Sequence, residues 1–226
     1  MKKHALIITS YQELDYLEEL CKVYSHYFPC YIHVDKKTKD KDRIEALKRL
    51  DNVYAISKYK INWGSYKHIL AVLDLLKRAE EDGVEYYHII SANTIPIKTP
   101  EEIMEFFEKE PSHIYMEVKK NDGKSFYEFE YRYTAYFFQH LYDLKGKHEW
   151  FWERIEKYSS AIQRTLKIRK SVKMNYKGYL YCHLPREAVD YVLNYVKIHK
   201  DYIRGLKYCS VGEEFFFQNI LMNSSL

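Results

Sequence analysis

HALIITSYQELDYLEELCKVYSHYF, His4 to Phe28, opens as a short β-rich run and passes at Ser10 into a helix on which Leu14, Leu17, Leu20, Cys21, Tyr24 and Phe28 recur at helical spacing. Ser10 has the chemistry of an N-cap for that helix. A strand followed at once by an amphipathic helix is half of a parallel α/β repeat, and the pattern then recurs. Cys30 to Val34 reads as a strand ending at Asp35 and a Lys36-Lys37 turn, a short helix carries Ile44, Leu47 and Leu50, and Val53 to Ile56 is a third strand. After Trp63-Gly64 an amphipathic helix from Ser65 to about Glu80 turns Ile69, Val72, Leu73, Leu76 and Ala79 inward. Glu85 to Ile90 predicts a fourth strand, and Thr99-Pro100-Glu101-Glu102 is a capping box with proline at the first helical position. The fold class is α/β: a mostly parallel, Rossmann-like sheet flanked by helices.

The second half is less regular. His113 to Val118 predicts a fifth strand, while Phe126 to Phe138, rich in tyrosine, fits strand or helix. Lys145 to Lys173 reads as a basic helix with Trp150, Trp152, Ile155, Ile162 and Leu166 on its apolar side. Lys177 to His183 returns to strand, Leu184-Pro185 breaks it, and Arg186 to Lys200 is helical. SVGEEFFFQNILMN, Ser210 to Asn223, pairs Ser210 with Glu213 at capping-box spacing and sets Glu214 beside Phe217, Gln218 and Leu221. Apolar surroundings raise a carboxylate's pKa and a helix N-terminus lowers it, so Glu214 is either a general base or one of two glutamates that favour the helix dipole. No repeat, low-complexity tract or Gly/Ser linker divides residues 1–226, which read as a single domain.

At 226 residues and 46% hydrophobic content the chain can fill a core. Its 24 tyrosines suit sugar- or base-binding grooves as well as packing. A net charge of +4 is too mild to argue for nucleic acid. The charge is uneven, however: Lys145 to Lys177 holds ten Lys or Arg against three Glu, a segment for a diphosphate, an anionic membrane surface or water. Four cysteines without metal spacing read as reduced thiols of a cytoplasmic protein, and no run approaches the roughly 18 apolar residues of a membrane span.

Ligands of parallel sheets collect outside the carboxyl ends of the strands. By that rule the site is lined by Thr9-Ser10, Asp35, Trp63-Gly64-Ser65 and Ser91 to Thr94. Asp35 either accepts hydrogen bonds from a nucleotide base or ribose or forms an Asx turn. Neither GxGxxG nor a P-loop occurs, which argues against a Rossmann dehydrogenase and a P-loop enzyme.

Four stretches in one order, YIHVDKK at Tyr31 to Lys37, WGSYKHILAVLDLL at Trp63 to Leu76, YHIISANTIPIKTPEEI at Tyr87 to Ile103 and EEFFFQNILMNS at Glu213 to Ser224, resemble the core-2/I-branching β-1,6-N-acetylglucosaminyltransferases and the related peptide O-xylosyltransferases. The resemblance implies a GT-A-like fold, a UDP-sugar donor, inversion at the anomeric carbon and no metal. Asp40-Lys41-Asp42, the only DxD, reads as a solvated turn. By position the resemblance makes Glu214 the catalytic base and Asp35 a donor-site residue near the uridine. It also places Glu117 and Arg132 near the acceptor, and Tyr181 where relatives carry tryptophan, while Thr94 departs from the aspartate usual in its loop.

Relatives continue past Asn223-Ser224 with a segment of basic and aromatic residues. Without it, Lys167, Arg169, Lys170, Lys173 or Lys177 would hold the diphosphate, another polypeptide would supply the part, or turnover would be weak or lost. The expected function is metal-free, inverting transfer of a sugar, GlcNAc first, from UDP to a hydroxyl of a glycan or lipid-linked acceptor. The expected place is the cytoplasm, in contact with the inner face of the membrane. The alternative is a non-catalytic nucleotide-sugar or glycan-binding relative.

Overall fold

A computed structural model describes residues 3–170 and 174–226. In chain order the elements are β1 (His4–Ser10), α1 (Leu14–Tyr24), β2 (Cys30–Val34), α2 (Lys41–Lys48), β3 (Val53–Ile56), α3 (Lys67–Glu81), β4 (Tyr86–Ser91) and α4 (Pro100–Glu108). There follow β5 (Lys119–Lys120), α5 (Glu130–Tyr133), α6 (Glu149–Thr165), β6 (Tyr176–Lys177), β7 (Cys182–Pro185), α7 (Arg186–Ile198) and α8 (Lys200–Leu206). A 3₁₀ turn (Gly212–Phe215) and α9 (Phe216–Leu221) complete the described elements. The chain divides into two compact units, the first made of Met1–Lys60, Leu70–Met116 and Tyr181–Leu193, the second of Ile61–Ile69, Glu117–Leu180 and Asn194–Leu226.

The first unit carries a five-stranded sheet in the order β3-β2-β1-β4-β7. Its first four strands are parallel and β7 is antiparallel to β4. β1 is buried along its whole length, which is why HALIITS shows no polar alternation: a central parallel strand is covered on both faces. On one face Leu6, Ile8, Ile32 and Val34 pack with Leu17 and Cys21 of α1 and Ile44 and Leu47 of α2. Ser10 does not cap α1. It is the last residue of β1 and its hydroxyl donates to the Gln12 carbonyl at 2.8 Å, while Glu13 holds the cap position in a left-handed conformation without a side-chain cap. Leu73 is half-covered in α3, and Leu75 takes the buried place.

The strand expected at His113 to Val118 does not form. Only Tyr115 pairs, exchanging backbone hydrogen bonds with His183, because β7 is four residues long and offers no longer edge. The run Lys177 to His183 accordingly splits between β6 and β7. In the second unit β5 and β6 form a two-stranded antiparallel ribbon. Beside it α9 is buried at every position, and two of its side-chain amides serve the neighbouring backbone. Asn219 Oδ1 accepts from the Asn175 and Tyr176 N–H groups, and Gln218 Nε2 donates to the Glu117 and Tyr179 carbonyls. A ribbon this short leaves backbone groups unpaired, and buried amides meet that need.

Helix α6 is turned away from the expected side except at Trp152, which is half-covered and stacks on Tyr142 at 4.2 Å. Glu156 and Ser160 are its buried residues, while Ile155, Ile162 and Leu166 face solvent. The reason lies in long-range hydrogen bonds of its polar stripe. The Gln163 side chain accepts from the Tyr136 N–H at 2.7 Å, and Arg164 donates to Thr134 Oγ1 and to the Tyr131 carbonyl.

Candidate functional site

In the first unit the parallel register brings the strand ends into line. Thr9 lies opposite His33 and Ser91, and Ser10 opposite Val34. The Asp35 N–H donates to the Ser10 carbonyl at 2.7 Å and the Ala92 N–H to the Thr9 carbonyl at 3.0 Å. Thr9, Ser10 and Asp35 are buried there, Thr94 is half-covered, and Tyr181 enters the same end of the sheet at the start of β7. Asp35 Oδ1 accepts from the Lys37 N–H at 2.8 Å, so this carboxylate makes the Asx turn, with the Lys37 ammonium 3.7 Å from Oδ2. Asp40 caps α2 by accepting from the Arg43 N–H at 3.0 Å, consistent with a turn. Among the described residues no group of three or more His, Cys, Asp or Glu is placed to hold a metal ion.

The second unit holds Glu214, in the 3₁₀ turn between Val211 and α9. The expected capping box of Ser210 and Glu213 is absent: Ser210 Oγ accepts from Gln139 Nε2 at 3.0 Å, and Glu213 Oε2 is buried with no hydrogen-bond partner. The turn is bent by Val211, whose φ of 50° is strained for a β-branched residue. Gln139 holds it there, its Oε1 accepting from the Val211 N–H at 3.0 Å. Glu156 and Tyr142 extend that network, the tyrosine hydroxyl donating to Glu156 at 2.7 Å. Gly64 backs onto the same amide, for a Cβ there would lie 2.6 Å from Gln139 Oε1. Ser65 beside it is buried, and the Trp63 ring is half-exposed under the Lys145 ammonium.

Two segments converge on Glu214, α5 and β6 with the Gly178 that follows it. Its carbonyl accepts from the Gly178 N–H at 2.9 Å. Glycine is required at 178 because a Cβ would lie 2.0 Å from the Glu117 carbonyl oxygen. Arg132 of α5 donates to Glu214 Oε2 at 2.5 Å, and the Lys177 ammonium of β6 stands 3.7 Å from the same oxygen. Oε1 takes no hydrogen bond among the described residues. The arrangement holds a carboxylate by its backbone and one oxygen and leaves the other oxygen for a ligand proton. Glu213 next to it differs: loss of hydration pushes its pKa up to about 7, the Glu214 charge adds to this, and Arg132 opposes it.

Of the residues expected at the diphosphate, Arg169 is engaged elsewhere. Its guanidinium donates to the carbonyls of Ala135, Tyr208 and Gly205 at 2.6 to 2.7 Å, stapling three segments of the second unit. Lys170 is exposed, Lys173 lies outside the described residues, and Lys177 sits at the candidate base. Glu117 is exposed and takes part through its carbonyl. Arg132, expected near the acceptor, is the one that meets Glu214. Sequence reasoning missed Gln139 and Glu156; the available signal was the polar stripe Glu156, Ser160, Gln163 and Arg164, which has helical spacing of its own.

A family model described as Core-2/I-Branching enzyme matches residues 5–225. A search of curated proteins finds no match. Among solved structures the chain is similar to the UDP-glucose pyrophosphorylase from Leishmania major, at 10% identity and a TM-score of 0.40, covering 88% of this chain and 52% of that one. The chain spans about half the length of that protein, and a likeness so loose carries no argument.

Proposed function

The chain belongs to the core-2/I-branching enzyme family, and on that premise we propose that it is an inverting glycosyltransferase using UDP-N-acetylglucosamine and a glycan hydroxyl, with Glu214 as general base. The observation that carries the assignment is the Arg132–Glu214–Lys177 constellation. Arg132 and Lys177 orient the carboxylate through Oε2, while Oε1 accepts no hydrogen bond among the described residues and is the oxygen left for an acceptor hydroxyl. Glu213 is pushed up to about 7, but its Oε2 is buried without a hydrogen-bond partner and, among the described residues, no cation orients its carboxyl as Arg132 and Lys177 orient Glu214.

The chemistry is a single displacement. Glu214 takes the hydroxyl proton as that oxygen bonds to the anomeric carbon, and the bond to the UDP oxygen breaks on the opposite face. Because attack and departure are opposite, Arg132 and Lys177 stand on the attacking side. In this reading they steady the base rather than the leaving diphosphate, a different role from the one expected for Lys177. Charge on the departing phosphate calls for fixed cations in place of metal, as metal-independent family members need. EDTA should leave transfer unchanged, and a strict manganese requirement would overturn the metal-free mechanism.

The decisive experiment is Glu214→Gln. Transfer from labelled UDP-N-acetylglucosamine to a glycan acceptor should fall roughly 10²- to 10⁴-fold, with UDP affinity and melting temperature retained. Undiminished turnover would remove Glu214 from the mechanism. If the wild-type chain binds UDP but neither transfers nor hydrolyses any UDP-sugar across a broad acceptor panel, the reading gives way to a non-catalytic binding protein.

A further inference from the structure

The side of α6 that faces solvent is its apolar side. Phe151, Ile155, Tyr158 and Ile162, with Leu166 at its C-terminal cap, follow one another at spacings of three or four residues, the repeat of a single helical stripe. All are exposed, Tyr158 at 65% and Ile162 at 60%, whereas Glu156 at 7% and Ser160 at 1% are buried on the inner side. An ordinary surface helix buries the first set and exposes the second. Here the inner face is committed by hydrogen bonds to Tyr142, Tyr136 and Thr134, so the helix cannot roll its apolar stripe inward without breaking them. A stripe held outward in this way needs a partner of its own.

The charge around it identifies the partner. Exposed Lys147 and Lys145, the latter 3.9 Å from Glu149, precede the helix, Lys167 and Lys170 follow it, and Arg154 lies at the stripe's margin, while Lys157 is about 240° round from Phe151. Arg154 stacks over the Trp150 ring at 5.6 Å, an aromatic and basic pair at the margin of the stripe. Glu153 points about 200° round from Phe151, away from the stripe. An apolar face with aromatic residues, set in a basic surround and lying parallel to the surface, is the pattern of a helix in the interface plane of a bilayer. A second copy fits less well, since a symmetric pairing through the stripe would bring two basic margins together.

We propose that α6 is an interfacial helix that lays this stripe on an anionic lipid surface, its lysines and arginines meeting the headgroups. The inference rests on the exposed side of α6 and stands or falls separately from the transferase mechanism. Its test is flotation of the full chain with vesicles of phosphatidylglycerol and phosphatidylcholine, against vesicles of phosphatidylcholine alone. The chain is expected to float with the anionic vesicles, to be released by salt, and to bind the neutral vesicles at least about tenfold more weakly. Ile155→Ser combined with Ile162→Ser should cut anionic-vesicle binding at least about tenfold while leaving transfer to a soluble acceptor unchanged and lowering the melting temperature only slightly, because Ile162 is 60% and Ile155 39% exposed. Should that variant fail to fold, Arg154→Glu with Lys147→Glu tests the same surface through its charge, with a similar loss expected. No flotation of the wild-type chain, or flotation undiminished in a folded variant, overturns the proposal. So does a wild-type dimer in light scattering that the Ile155/Ile162 variant converts to monomer without any binding of vesicles.

Discussion

The two units solve the burial of ionisable groups in opposite ways. In the sheet unit the buried carboxylates, Glu18 and Asp35, are paired with cations, and histidines are kept neutral: His88 Nδ1 is 2.9 Å from His183 Nδ1, His4 stacks on His88, and His33 Nε2 accepts from the Tyr59 N–H. Burial lowers His33 and His183 to about 4 and drives His88 well below its ordinary range, with His183 and His4 adding to the effect. In the other unit two carboxyls lack a cationic partner among the described residues, Glu156, which is buried, and Glu213, which is half-covered with a buried Oε2, both raised chiefly by loss of hydration. One unit is thus sensitive to acid and the other to base, and the base-sensitive one carries the candidate catalytic turn.

After the loss of turnover expected for Glu214→Gln, the largest effect should come from acid. Unfolded histidines take up protons near pH 6.5, while the folded ones resist until about pH 4 or below. Stability is therefore full above pH 6.5 and lost as pH falls toward 4, on the order of 3 kcal/mol for a histidine such as His183. Urea unfolding as a function of pH checks this; a curve flat between pH 7 and 4.5 would break the contrast. Arg169→Met should destabilise by about 3 kcal/mol, since it leaves carbonyls of Ala135, Tyr208 and Gly205 unpaired, whereas Lys170→Ala should change stability by less than about 0.5 kcal/mol. Equal effects of the two would sink the staple and return Arg169 to the diphosphate candidates. The smallest effect sharpens the comparison. Glu213 binds its proton more tightly folded than unfolded, so its penalty grows as pH rises from about 4.5 through about 7. Glu213→Gln should accordingly raise the melting temperature at pH 8, by about 2–4 °C for each kcal/mol recovered, and give no gain at pH 5.

The contrast extends to what the sequence made legible. β2 and β3 have the bounds that their apolar runs indicate, and the Thr99 capping box forms, Thr99 Oγ1 accepting from the Glu102 N–H at 3.3 Å and Glu102 from the Thr99 N–H at 3.0 Å. Those features draw on neighbours in the chain. Ser210 has the same local motif and does not use it, because Gln139, 71 residues away, donates to its hydroxyl. Helix α6 was legible as a helix but not in its orientation, which depends on partners at Tyr136 and Tyr142. Glu214 was legible as a candidate from its neighbours and by resemblance; Arg132 and Lys177 were legible singly, as an acceptor-side residue and a diphosphate candidate, but not as a group around one oxygen.

The sequence by itself determined the α/β class, the order of the parallel strands' apolar runs and the family, because hydrophobic periodicity and short motifs are local properties of a chain. Only the tertiary structure decided which oxygen of Glu214 is left open, that Arg169 is a staple, and that α6 shows its apolar side to solvent. Each of these depends on hydrogen bonds or ion pairs between residues distant in sequence. Such bonds outweigh a local preference wherever the alternative is a buried polar group without a partner.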